Sequence, residues 1–196
     1  MNIAEQILLF MRITRSQQIA RRYFIVNGFD GTLTMLGLLT GFYVSGQVVL
    51  PVAISVCLGA AIALGMSGLT SAYISEAAER KHELNNLEQA MIADLGESAY
   101  GKASRLMPLY IALINGLAPF LIALIIITPL VIGNLHPQIL PQPLETAALL
   151  AFLITFLLGI FLGRISGHFW LWSGIRTLII AIITSAMIYV FSPASV

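Results

Sequence analysis

What this sequence has least of is charge. Only 10% of its 196 residues are Asp, Glu, Lys or Arg, while 58% are hydrophobic. Soluble domains carry about 25% charged residues. A water-soluble fold and a basic nucleic-acid-binding face are therefore both excluded as expectations, and membrane lipid is the expected surrounding. Cysteine is nearly absent too: Cys57 stands alone in an apolar segment, so it can form no internal disulfide and leaves the redox compartment open. No nucleophile motif, phosphate loop or HExxH pattern occurs, so no enzymatic activity is expected. The apolar run at 7–11 is too short for a signal-peptide core and no small-residue cleavage site follows it, so no signal peptide is expected.

Lys and Arg are also missing from one set of connections: 46–48, 134–143 and the tail after Phe191 hold none. All of the basic residues fall elsewhere: Arg12, Arg15, Arg21, Arg22, Arg80, Lys81, Lys102, Arg105, Arg164 and Arg176. By the positive-inside rule this asymmetry predicts a cytoplasmic N-terminus and an external C-terminus. Between the breaks lie five apolar segments long enough to cross a hydrocarbon layer of about 30 Å, near 24–45, 49–75, 106–133, 144–163 and 169–191. The expected fold is thus an all-α integral membrane protein with five transmembrane helices, N-in and C-out. With no targeting segment visible, the plasma membrane is the default location.

Its expected parts are an interfacial amphipathic helix over 1–22, transmembrane helices one and two over 23–75, a cytoplasmic acidic helical insertion over 76–105, transmembrane helices three to five over 106–191, and a short external tail, 192–196. The first part rests on Ile3, Ile7, Leu8 and Met11 at helical spacing, with arginines after them. The second span is too long for a bilayer, about 40 Å from Val49 to Ser75. Helix-forming residues continue to Asp94, so one helix is expected to leave the bilayer and project into the cytoplasm. Leu84, Leu87 and Met91 then form an apolar stripe that needs something to dock on, and Gly96 and Gly101 mark the turn into span three.

Asp30 is the sole acidic residue well inside any apolar segment. A carboxylate there costs about 2.5–3.5 kcal/mol on insertion scales, so it faces a partner, a cavity or an ion path. Asp30, Thr34, Gly37 and Gly41 fall on one stripe of a helix, and Gly37 with Gly41 forms a GxxxG pair suited to close helix approach. Gly59, Ala63, Met66, Thr70 and Tyr73 make a similar stripe in span two. Counted from the cytoplasmic ends, Asp30 lies about 9 Å deep and Met66 about 10 Å above Tyr73, so the two could meet at one level. A thioether beside carboxylates tilts a site towards transition metals. One membrane acid per chain cannot balance a divalent charge, so the expectation is a homodimer with both Asp30 residues on a shared metal path. Three competing readings stand beside it: Asp30 paired with Arg176, Met66 as core filler, and GxxxG as a generic packing device.

A second constellation lies in the insertion. Glu76, Glu79, Glu83 and Asp94 are expected on one helical face, with His82 three residues after Glu79 and Glu88 nearby. Carboxylates with an imidazole suit Fe²⁺, Mn²⁺ or Zn²⁺. The competing reading is a solvated acidic face whose charges pair with Arg80 and Lys81. Glu145 reads as an interfacial charge or one at a helix N-terminus, while His136 and His168 show no ligand pattern.

The segment Asn27-Gly28-Phe29-Asp30-Gly31-Thr32-Leu33-Thr34 resembles the first-span Asp-Gly motif of the vacuolar iron transporter family. The stretch from Gly163-Arg164-Ile165-Ser166-Gly167 to Ser173-Gly174-Ile175-Arg176-Thr177-Leu178-Ile179-Ile180 is similar to that family's junction between spans four and five. Span two departs from the family pattern: Met66 precedes Tyr73 by seven residues, and Ser71-Ala72 stand where Gly-Glu would precede the tyrosine. The resemblance implies a dimer that exports Fe²⁺, and often Mn²⁺, from the cytoplasm in exchange for protons. The metal is cargo, and no resident cofactor is expected. In the expected path Glu76, Glu79, Glu83, Glu88 and Asp94 gather the ion, and Asp30 carries it with help from Met66 and Thr34. Apolar surroundings and a like-charged neighbour favour neutral Asp30, so metal binding would release its proton. The alternative is a non-transporting membrane protein that senses metal or docks a partner through its acidic helix.

Overall fold

A computed structural model describes residues 16–46, 49–167 and 169–192. Five helices account for most of them: α1 (Ser16–Ser45), α2 (Leu50–Met91), α3 (Ala99–Leu135), α4 (Pro143–Ser166) and α5 (Trp170–Phe191), with no strand among the described residues. The expected interfacial helix over 1–22 falls mostly outside the described residues. Its final part, from Ser16, belongs to α1 without a break.

Four helices, α2 to α5, are long and apolar enough to cross a membrane. The expected first span lies inside α1, which is not among those four. Asn27, Asp30, Thr32, Thr34 and Thr40, interspersed with glycines, dilute its apolar run. α2 is a single unbroken helix of 42 residues, about 63 Å long, and so exceeds any bilayer core. It stops before Ile92, whose φ of 52° is unusual for a β-branched side chain. The Glu88 carboxylate accepts the Leu95 N–H at 3.0 Å just beyond, closing the turn. Gly101, expected in this turn, sits in the first turn of α3, packed so tightly on the Leu95–Gly96 peptides that a side chain has no room.

The chain divides into two packed units, Met1–Phe24 with Gly65–Leu117, and Ile25–Leu64 with Ala118–Val196. In the second unit, Met35, Leu36 and Leu39 of α1 share a core with Ala53, Cys57 and Ala61 of α2 and with Ile122, Ile126 and Leu130 of α3; Ala147 and Ala151 of α4 and Ala181 of α5 complete it. Small residues recur at every fourth position on the inward faces of α2 and α4. In lipid, apolar contact between helices has no hydrophobic advantage, so close approach through small residues is what holds helices together.

The α4–α5 hairpin shows the same device. A Cβ on Gly159 would come within 2.9 Å of Gly174 Cα, and one on Gly163 within 2.7 Å of the Ser173 Cβ. Thr177 Oγ1 donates across the pair to the Thr155 carbonyl at 3.2 Å. Gly167, left-handed at φ 70°, caps α4 by donating its N–H to the Gly163 carbonyl.

In the other unit, α2 and α3 cross where a Cβ on Gly116 would meet the Gly65 carbonyl oxygen at 2.6 Å. Asn115 Nδ2 donates to the Gly68 carbonyl at 2.6 Å beside that crossing. Ala103, Met107 and Tyr110 pack further along.

The tightest contact of α1 is at Gly31, whose added Cβ would lie 2.8 Å from the Pro119 Cα and 2.9 Å from its carbonyl oxygen, both backbone atoms that cannot step aside. Gly31→Ala should therefore lower unfolding stability by about 1–3 kcal/mol. Gly59→Ala, on α2 where nothing lies within 4 Å, should leave it unchanged or slightly raised. Thermal unfolding of the two variants in a neutral detergent reads the contrast, and equal melting temperatures would refute this account of α1 packing.

Candidate functional site

The geometry around Asp30 follows from its two neighbouring glycines. Gly28 packs on Ile122 and Leu158, with added-Cβ distances of 3.0 and 3.3 Å, and Gly31 on Pro119. Both are buried on the inward face, so Asp30, two positions after Gly28, is turned to the exposed face of the bundle. Thr34, one turn on, is half-buried. The competing reading, a pairing with Arg176, is not what the structure has: among the described residues no salt bridge joins Asp30 to any cation, and the Arg176 guanidinium stacks over the Trp172 ring at 5.6 Å. The carboxylate thus stands exposed midway along α1.

The rest of its stripe is also open. Gly41 has nothing within 4 Å of an added Cβ, and Gly37 meets only the flexible end of Ile188 at 3.3 Å. Gly59 on α2 is likewise open. Met66 is 57% exposed, which sets aside the reading of it as core filler within the protomer. Asp30 and Thr34 belong to one unit and Met66 to the other.

The acidic residues of α2 are arranged differently from the expected ligand face. Arg80, only 8% exposed, is their hub. Its guanidinium bridges Glu83 at 2.8 Å and Glu76 at 3.6 Å, from the adjacent helical turns on either side. Tyr23 donates its hydroxyl to Glu76 at 3.3 Å, and Tyr100 donates to Glu83 at the same distance. These contacts tie α1 and α3 to α2 within one unit. Glu88 is occupied with the Leu95 N–H, and Asp94 lies beyond the end of α2, accepting the Gly96 N–H at 2.8 Å. Asp94 therefore does not share the helical face of the glutamates, because the helix has already ended. Glu79 and His82 are exposed. No three His, Cys, Asp or Glu side chains come together as a metal-holding group among the described residues.

Sequence reasoning raised Arg80 as a local pairing charge but missed its burial and the two tyrosines that join it. Tyr23 is 53 positions from Glu76, and no local pattern signals that contact. Glu145, at the first turn of α4, borders a cavity of about 360 Å³ with Thr40, Tyr43, Phe152 and Ser185, otherwise walled by apolar side chains.

Together these features define the class: an all-α protein with four helices fit to cross a membrane, the build of a multi-pass membrane protein. Beyond that class, no protein-family model, no curated protein and no solved structure matches the chain.

Because Arg80 is buried against the largely buried Glu76, Arg80→Met should strand that carboxylate, while solvent screens the more open Glu83, and destabilise the fold by about 1–2 kcal/mol. The double variant Glu76→Gln, Glu83→Gln placed on Arg80→Met should recover most of that loss. A denaturation series on the three proteins measures it, and no recovery would mean that Arg80 acts through packing alone.

Proposed function

We propose that this protein is a homodimeric membrane transporter that moves a divalent transition metal, Fe²⁺ or Mn²⁺, out of the cytoplasm. The observation that carries the reading is Asp30: a carboxylate within an apolar helix, exposed on the protomer surface, with no cation paired to it there. Left facing hydrocarbon, such a group is costly. Two copies related by a two-fold axis would place both Asp30 carboxylates on one path, flanked by Thr34 and by the open glycines of the same face. Met66, with its exposed thioether, favours a softer ion over Mg²⁺ or Ca²⁺.

In this reading α1 is the fifth span. Exchange of metal against protons at the paired carboxylates would couple outward metal movement to inward proton movement. The resemblance to vacuolar iron transporters supports the same assignment. Glu79, which Arg80 does not engage, is the acidic residue of α2 best placed to attract the ion, with Glu76, Glu83, Glu88 and Asp94 adding to the local negative field.

A second reading is favoured by a specific observation. Glu76 and Glu83 are held by Arg80, while Leu87 (38% exposed), Met91 (61%) and Ile92 (94%) remain uncovered at the end of α2. A non-transporting protein that docks a partner on that helix end would use the acidic residues structurally.

Flux of Fe²⁺ and Mn²⁺ in proteoliposomes with an internal pH dye separates the two. The transporter reading expects metal flux with proton counter-movement, lost in Asp30→Ala at unchanged folding. Thr34→Cys in a Cys57→Ser background should also form a disulfide-linked dimer on mild oxidation. Flux indifferent to Asp30, or absent for both metals in a folded protein, refutes it and leaves the docking reading.

A further inference from the structure

A second cavity, of about 440 Å³, opens between α2 and α3. Tyr73, Lys81 and Asn85 line it from α2, and Ser104, Arg105 and Pro108 from α3. Its electrostatics are one-sided: two cations line it and no carboxylate does. Lys81 makes no salt bridge among the described residues, and Arg105 has only a long contact to Glu97 at 3.9 Å, which Lys102 engages more closely at 3.4 Å. Ser104 is 6% exposed, and its hydroxyl lies buried beside the Tyr100 hydroxyl without a well-formed hydrogen bond. A buried hydroxyl held so loosely keeps donor capacity for an occupant of the cavity. Two cations, a hydroxyl donor and an amide around one space match a phosphate group in charge and in hydrogen bonding.

The level of the cavity decides which phosphate. Tyr73 and Pro108 stand where the apolar runs 49–75 and 106–133 give way to the charged segment between them. This is the depth of lipid headgroups, and tyrosine is enriched there. Beyond the cavity towards the apolar side, Leu109 and Leu113 are exposed, 51% and 41%, and offer a track for acyl chains. A free phosphate would use the cations but leave that apolar track uncovered.

We infer that this cavity is a binding site for an anionic phospholipid, whose headgroup phosphate sits between Lys81 and Arg105 with Ser104 beneath it and whose chains run along α3. The site is independent of the transport assignment, because it uses neither Asp30 nor the acidic residues of α2. An anionic lipid there clamps α2 to α3 at the membrane surface, next to the hub that joins both to α1.

Native mass spectrometry of the full chain, released from nanodiscs containing phosphatidylglycerol and phosphatidylcholine, tests this directly. The wild type should retain phosphatidylglycerol over phosphatidylcholine. Lys81→Gln with Arg105→Gln should weaken that retention by about 30-fold, from about 1 kcal/mol for each cation at a membrane surface. Lys102→Gln removes an exposed charge outside the cavity and should retain the lipid as the wild type does. Equal retention by the double variant, or equal loss in Lys102→Gln, would overturn the site. Competition with inorganic phosphate is the second arm: displacement of the lipid at modest excess would assign the cavity to a free phosphate and overturn the lipid assignment. All side chains changed are exposed, so the variants should fold, and their melting temperatures in neutral detergent check that.

Discussion

A helix in lipid gains nothing from hiding apolar side chains from other apolar groups, so its position is fixed by how closely backbones can approach. Gly31 on the backbone of Pro119 is where that constraint acts on α1. Once Gly31 and Gly28 are seated inward, the rotation of α1 about its axis is set, and with it the direction of every side chain on the helix. Met35, Leu36 and Leu39 enter the core, and Asp30 is turned out. The exposure of the carboxylate is thus a consequence of glycine packing on the opposite face. A bulkier residue at Gly31 would move α1 off Pro119 and rotate Asp30 together with it.

The charged segment obeys a different rule. There the strong contacts are ionic, and Arg80 concentrates them by sitting buried between glutamates on neighbouring turns of α2. A guanidinium with five donors can serve two carboxylates at once, which a lysine ammonium does with less fixed geometry. Tyr23 and Tyr100 extend the network to α1 and α3, so the ionic hub also joins three helices. The consequence for function is direct. Under the proposed transport function, carboxylates committed to Arg80 would contribute less free negative charge for gathering cations than Glu79.

Local rules made much of this architecture legible. The run from Leu50 to Met91 is continuous in helix-forming residues, and the structure has one helix there. The Ser45–Gly46 break ends α1 at a glycine with φ 71°, and Gly167 ends α4 in the same way. The two stripes of small residues were visible from spacing alone; the one on α2 is exposed, and the one on α1 is exposed at Asp30 and half-buried at Thr34 and Gly37. What could not be read was any fact needing two distant segments: Gly31 against Pro119, Tyr23 against Glu76, or Lys81 and Arg105 lining one cavity. The placement of Asp94 failed for a local reason. The face argument assumed helix through that residue, whereas Ile92 leaves the helical conformation and Asp94 turns back to Gly96.

The glycines sort into two groups, and the difference bears on oligomerisation. Gly28, Gly31, Gly68, Gly116, Gly159, Gly163 and Gly174 each have a neighbour so close that a side chain is crowded or excluded, which accounts for them within one protomer. Gly41 and Gly59 have nothing within 4 Å. A mid-helix glycine costs about 0.5–1 kcal/mol relative to alanine. An open one therefore brings that cost without any packing return inside the chain. Gly41 lies on the same helical stripe as Asp30, so the least explained glycine and the least compensated charge share one face. One second copy of the chain placed on that face would account for both, giving the glycine a close neighbour and the carboxylate a companion with which to share a proton or a metal ion.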